Sequence, residues 1–149
     1  MPFRWLLASF HLIGLGIGLV AVFVRGLSLR NIQQPGAIRR ALMADNFWGL
    51  SAIILISTGL LRVFAGFEKG TDYYLGNHVF WVKMGLLLLV LILEIRPMVT
   101  LLGWRRSLRS GVELNTSRAG RLATISYIQT AILAAMIFAA TAMARGLGF

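Results

Sequence analysis

The chain has 149 residues, 58% of them hydrophobic and only 13% charged, with a formal net charge of +10. A soluble domain carries about 45–50% apolar and about 25% charged residues, so a soluble enzyme, a disordered tail and a nucleic-acid module are all disfavoured. Cysteine is absent, which removes disulfides, thiolate metal sites and cysteine nucleophiles.

Four long apolar runs follow one another along the chain. Residues 5–24 carry no formal charge, and residues 47–64 are broken only by Arg62. Residues 79–93 form the third run, which continues past Glu94, Arg96 and Pro97 to about residue 102. Residues 122–144 form the fourth, again uncharged. A helix needs about 20 mostly apolar residues to cross ~30 Å of hydrocarbon. The pattern therefore predicts an all-α integral membrane four-helix bundle, with helices at about 4–24, 45–66, 78–102 and 120–145. The chain reads as one transmembrane domain over residues 1–149. The first run is longer than the apolar core of a signal peptide and has no small-residue cleavage site before Arg25, so it is expected to remain as a helix.

The basic residues predict orientation. Arg25, Arg30, Arg39 and Arg40 follow the first run, and Arg96, Arg105, Arg106, Arg109, Arg118 and Arg121 follow the third. The segment after the second run has only Lys69, with Glu68 and Asp72. Positively charged short loops stay cytoplasmic. Both termini are then outside, in the periplasm if the membrane is a bacterial inner membrane, and ten of the fifteen basic residues lie inside. These cytoplasmic arginines would meet anionic lipids, which accounts for most of the positive charge without nucleic acid.

Helical spacing suggests inward faces. His11, Gly14, Gly18 and Arg25 share one face of the first helix, and Gly14-x-x-x-Gly18 permits close approach of a neighbour. Ser51, Thr58, Gly59 and Arg62 share a face of the second, and Lys83, Leu87, Val90 and Glu94 a face of the third. The fourth offers Ala123, Thr130, Ala134 and Thr141 on one side, with Gln129 adjacent. Ionisable groups inside a membrane are expensive and by default mark a site. His11, Arg62 and Lys83 fall in the outer half of the bundle, where they form a candidate pocket for an anionic ligand or, through His11, a ligand to haem iron. The alternatives are that Arg62 and Lys83 snorkel to the headgroups and that His11 only bonds a facing helix. Asp45, Asn46, Glu94 and Gln129 form an inner polar set, in which Glu94 can pair with Gln129 or with Arg25. Two histidines without cysteine do not make an ordinary zinc site.

The segment 68–83 holds the most specific text. Tyr73, Tyr74 and Trp81 suit an interfacial aromatic belt, and Asn77 is placed to cap the third helix. Together with Thr58-Gly59-Leu60-Leu61-Arg62-Val63-Phe64, the run Glu68-Lys69-Gly70, Tyr73-Tyr74, Asn77 and Phe80-Trp81-x-Lys83 resembles an uncharacterised family of small predicted bacterial membrane proteins, a domain of unknown function. The resemblance covers nearly the whole chain and implies four membrane helices. A more distant likeness, through His11, Thr58-Gly59-Leu60 and Trp81-x-Lys83, is to HemJ-type protoporphyrinogen oxidases and CopD-like membrane domains. It implies haem b at His11 with Lys83 in support. Where HemJ-type proteins carry a further histidine late in the third helix, this chain has Glu94.

Three functions follow as expectations. The first is an accessory or assembly component of a membrane complex, with a membrane-protein partner or homo-oligomer. The second is a haem b- or quinone-associated redox protein using His11 and Lys83. The third is a small transporter or channel-like protein.

Overall fold

In a computed structural model, residues 2–66 and 69–148 are described. They form α1 (Pro2–Arg30), α2 (Ala37–Phe64), α3 (Thr71–Leu75), α4 (His78–Ser110) and α5 (Ala119–Ala144), with no strand among the described residues. The four long helices are each apolar and long enough to cross a membrane. At most 33% of any of their apolar windows is buried. The rest points outward, as Ile53, Leu88 and Phe138 do, the last 75% exposed. Water would penalise such a surface, and hydrocarbon does not.

The helices run beyond the expected spans at one end. α1 continues from residue 24 to Arg30, α2 begins at Ala37 instead of 45, and α4 continues from residue 102 to Ser110. A search for apolar runs finds only the part of a helix bathed in hydrocarbon. Beyond that part the helices continue because they still bury a core of Leu29, Leu42, Leu101, Trp104 and Leu122. Nine of the ten arginines assigned to two loops therefore lie on helices, and Arg118 is the N-cap of α5. This arginine-rich end stands opposite the terminal end, where α1 begins and α5 stops.

α1 lies between α2 and α5, and α4 packs on the far side of α5. The antiparallel α1–α2 seam follows the expected glycine face. Ser51 Oγ donates to the Gly14 carbonyl at 2.6 Å. A Cβ on Gly14 would meet Ile54 Cγ2 at 2.8 Å, and one on Gly18 would strike Ser51 Oγ and lie 3.1 Å from Trp48 Cζ3. Between lipid-bathed helices no hydrophobic effect drives association, so this close approach and its van der Waals contact hold the pair. A longer side chain at Gly18 would push the helices apart.

α5 departs from expectation. Ala123 of the expected face is buried, but the buried stripe runs on through Ser126, Gln129, Leu133 and Met136, and Thr141 is exposed. The threonine hydroxyls bond to their own helix, Thr130 to the Ser126 carbonyl and Thr141 to the Phe138 carbonyl. They need no partner across the bundle. Gln129 has no such local outlet and turns inward.

The terminal end is closed by α3, a one-turn helix absent from the sequence reading. Tyr74 is buried with Val63 and Phe80, so it belongs to the core and not to an aromatic belt. Trp81 is exposed, as a belt residue should be, and its Nε1 donates to the Leu75 carbonyl at 3.0 Å. Asn77 caps α4 as expected, its Oδ1 accepting from Val79 N and Phe80 N at 2.9 and 3.2 Å. Its Nδ2 also holds the Leu147 carbonyl at 3.1 Å, which ties the C-terminal segment to the start of α4.

Candidate functional site

Arg25 follows directly on the first apolar run, and no part of it is exposed. A guanidinium has five N–H donors, and all five are used. Nε donates to Ser126 Oγ at 3.1 Å. Nη1 donates to Asp45 Oδ1 at 2.8 Å and to Glu94 Oε1 at 2.9 Å. Nη2 donates to Glu94 Oε2 at 3.0 Å and to Gln129 Oε1 at 2.7 Å. The Glu94 contact is bidentate, the geometry in which a guanidinium fork and a carboxylate fit best.

The partners are held in turn. Gln129 Nε2 donates to Glu94 Oε2 at 2.8 Å and to the Val90 carbonyl at 3.2 Å. Arg105 Nη2 donates to Asp45 Oδ2 at 3.1 Å and to the Leu42 carbonyl at 3.0 Å. Two guanidinium groups thus face two carboxylates, and the network is formally neutral. It draws on α1, α2, α4 and α5, all four spanning helices. Among the described residues no buried side-chain nitrogen or oxygen lacks a partner.

The network forms a polar layer between two apolar ones. On its terminal side lie Val22, Trp48, Val90 and Leu133, one from each long helix. On its other side lie Leu29, Leu42, Leu101 and Leu122, again one from each. The order apolar, polar, apolar repeats in every helix at one-turn or two-turn spacing. A slide of one turn in any helix would set its polar group against an apolar layer of its neighbours, so the layer ties the heights of the four helices to one another.

Asp45, Glu94 and Gln129 of the inner polar set are therefore brought together. Asn46 is exposed and lines a groove near Arg39, outside the network. Glu94 bonds both Gln129 and Arg25. Sequence reasoning missed Arg105 and Ser126. Arg105 stands 11 residues after Glu94, three turns on the same helical face, and Ser126 stands one turn before Gln129. Both signals lie in the helical spacing, which in Arg105 coincides with the positive charge of a cytoplasmic loop.

The outer trio remains on three helices, each half-buried: His11 on α1, Arg62 on α2 and Lys83 on α4. His11 Nδ1 lies 2.7 Å from Thr58 Oγ1. The Thr58 hydroxyl donates to the Ile54 carbonyl at 2.6 Å, so its oxygen accepts from His11 Nδ1–H. In that tautomer the ring lone pair is on Nε2. The pairing with Thr58 sets His11 one turn deeper than Arg62, about 6 Å along α2. Phe80 and Met84 pack around Val63, which places Lys83 near the level of Arg62. His78 is exposed at the start of α4, and its backbone N–H bonds the Gly148 carbonyl at 2.8 Å. Among the described residues no cluster of three metal-ligating side chains occurs. Glu68, the nearest acid to the trio in the sequence, lies outside the described residues.

Four apolar spanning helices around a buried ionic layer describe an integral membrane protein. Along residues 3–148 the chain matches the family described as predicted membrane protein (DUF2214). The chain belongs to that family. Neither a curated protein nor a solved structure matches it. The family spans all four long helices, and with them the whole ionic layer and the His11–Thr58 pair.

Proposed function

We propose that the protein is a non-catalytic component, accessory or assembly in kind, of a bacterial inner-membrane complex. Its arginine-rich end faces the cytoplasm and both termini face the periplasm. One observation carries this reading: the ionisable groups of the deep layer are spent inside the chain. All five Arg25 donors are satisfied, and the charges of Arg25 and Arg105 balance those of Asp45 and Glu94. Such a layer specifies the packing of four helices and leaves their broad apolar outer faces to lipid or to another membrane protein. The orientation rests on the positive-inside bias of the ten arginines.

The test is extraction of the full chain from its native membrane in mild detergent. A stoichiometric membrane-protein partner is expected. Recovery of the chain alone, or only with copies of itself, across several detergents refutes the accessory role. The chain has no cysteine, so single cysteines report orientation without background. Glu113→Cys is expected to react with an impermeant maleimide only after the inner face is opened.

A second reading, a haem b- or quinone-associated redox protein, is favoured by the His11 tautomer. Nδ1–H held by a hydroxyl with the lone pair on Nε2 is how metal-binding imidazoles are commonly oriented. The donor atom thus fits an iron ligand. Arg62 and Lys83 are the residues of this chain suited to a haem's carboxylates, and bound haem would supply one-electron chemistry. A Soret band in the purified protein that is lost in His11→Ala supports this reading. Colourless protein from haem-supplemented cells refutes its haem form.

A further inference from the structure

A groove of about 560 Å³ lies between α4 and the start of α5. Arg96 of α4 and Arg118 and Arg121 at the start of α5 line it, together with the hydroxyl-bearing Thr100 and Thr124. Its remaining wall is aliphatic, including Val99 and Ile125. Three observations bear on what such a groove accepts.

The first is charge. No acidic residue lines the groove. Asp45 and Glu94 are engaged by Arg25 and Arg105, and no ion pair joins Arg96, Arg118 or Arg121 to a described carboxylate. Three arginines therefore line one groove with no described carboxylate paired to them. The second is depth. Arg118 and Arg121 stand four and one residues before the α5 run begins, and Arg96 stands two residues beyond Glu94, inside the α4 run that continues to about residue 102. Because Glu94 pairs with Gln129, Arg96 sits deeper in the bundle than Arg118 and Arg121, which stand at the end of the α5 apolar run, the level expected for headgroup phosphates. The third is shape. A groove lined by three arginines, two hydroxyls and aliphatic side chains matches an amphiphile, one end anionic and the other a hydrocarbon chain.

We propose that this groove binds one anionic phospholipid, its phosphate held by Arg96, Arg118 and Arg121 and an acyl chain lying along Val99 and Ile125. The proposal is independent of which face of the membrane the arginine-rich end meets and of the accessory role. It differs from diffuse attraction of a basic surface to anionic lipid, because it requires these three arginines and one lipid per chain.

The test uses the full chain in neutral detergent, titrated with phosphatidylglycerol, phosphatidylcholine or inorganic phosphate and read by native mass spectrometry. One phosphatidylglycerol per chain is expected, with phosphatidylcholine bound far more weakly. At about fivefold per basic residue, Arg96→Gln/Arg118→Gln/Arg121→Gln lowers affinity about 100-fold. Arg118→Gln alone, at an exposed N-cap whose side chain makes no capping bond, lowers it about fivefold and keeps the test valid if the triple variant misfolds. Arg40→Gln/Arg106→Gln/Arg109→Gln removes the same charge from the same end outside the groove and is expected to bind within about twofold of the native chain. Equal loss in the two triple variants, equal binding of phosphatidylcholine, or displacement of the lipid by equimolar inorganic phosphate each overturns the proposal.

Discussion

Glu94→Gln is the sharpest probe of the ionic layer, because it changes charge and almost nothing in volume. The native carboxylate accepts from Arg25 Nη1 and Nη2 at 2.9 and 3.0 Å and from Gln129 Nε2 at 2.8 Å. A carboxamide keeps one acceptor and turns an NH2 group toward the donors on the other. With the oxygen kept at the Oε2 position, Arg25 Nη1 loses its acceptor there, and the layer goes from neutral to a net single positive charge. Hydrogen bonds between membrane helices are worth only about 0.6 kcal/mol on average, since helices separated in the bilayer find other partners. The lost bond alone would cost under about 1 kcal/mol. Breaking a buried ion pair costs about 3–5 kcal/mol, because it strands a charge. The second magnitude applies here: Arg25 has no exposed surface and lies between two apolar layers, so it cannot reach headgroups while the bundle is intact. We expect a loss of about 3 kcal/mol, measured by unfolding in mixed micelles at increasing dodecyl sulfate fraction and followed through the buried Trp104. The Arg25→Met/Glu94→Met cycle should return a coupling of about 2 kcal/mol or more. A well-folded Glu94→Gln protein within about 1 kcal/mol of the native chain would refute the reasoning that the layer holds an otherwise unsolvated charge.

The α1–α2 seam makes a paired prediction. Gly18→Val should destabilise by about 1–3 kcal/mol through overpacking against Ser51 and Trp48, whereas Gly16→Ala, where an added Cβ meets nothing within 4 Å, should be neutral or stabilise by up to about 1 kcal/mol. The same unfolding assay ranks them, and an equal effect of both would remove the close-approach argument. Asn77→Ala removes the acceptor of two α4 N–H groups and the donor to the Leu147 carbonyl. It should cost about 1 kcal/mol and speed proteolysis of the C-terminal segment, and unchanged proteolysis would show that Asn77 does not hold that segment.

Much of this protein was legible from composition and period alone. Residues apolar over a membrane's thickness must become helices, because in hydrocarbon every backbone polar group needs a partner within its own segment. The glycine face of α1 was legible too, since only a missing Cβ allows the contact seen at Gly14 and Gly18. So was the cap at Asn77. Sequence spacing also brought Glu94, Gln129 and Arg25 within possible reach of one another. It did not decide which of those bonds would form, because each helix can rotate about its axis without changing its own sequence pattern. α5 shows the consequence: its threonines satisfied themselves locally, and Gln129 with Ser126 took the inner face instead. The height of each helix relative to the others was equally beyond sequence, as was the enlistment of Arg105, three turns from Glu94. Tertiary packing settled both, for a buried guanidinium with five donors finds all its acceptors in only one rotation and one register of the four helices.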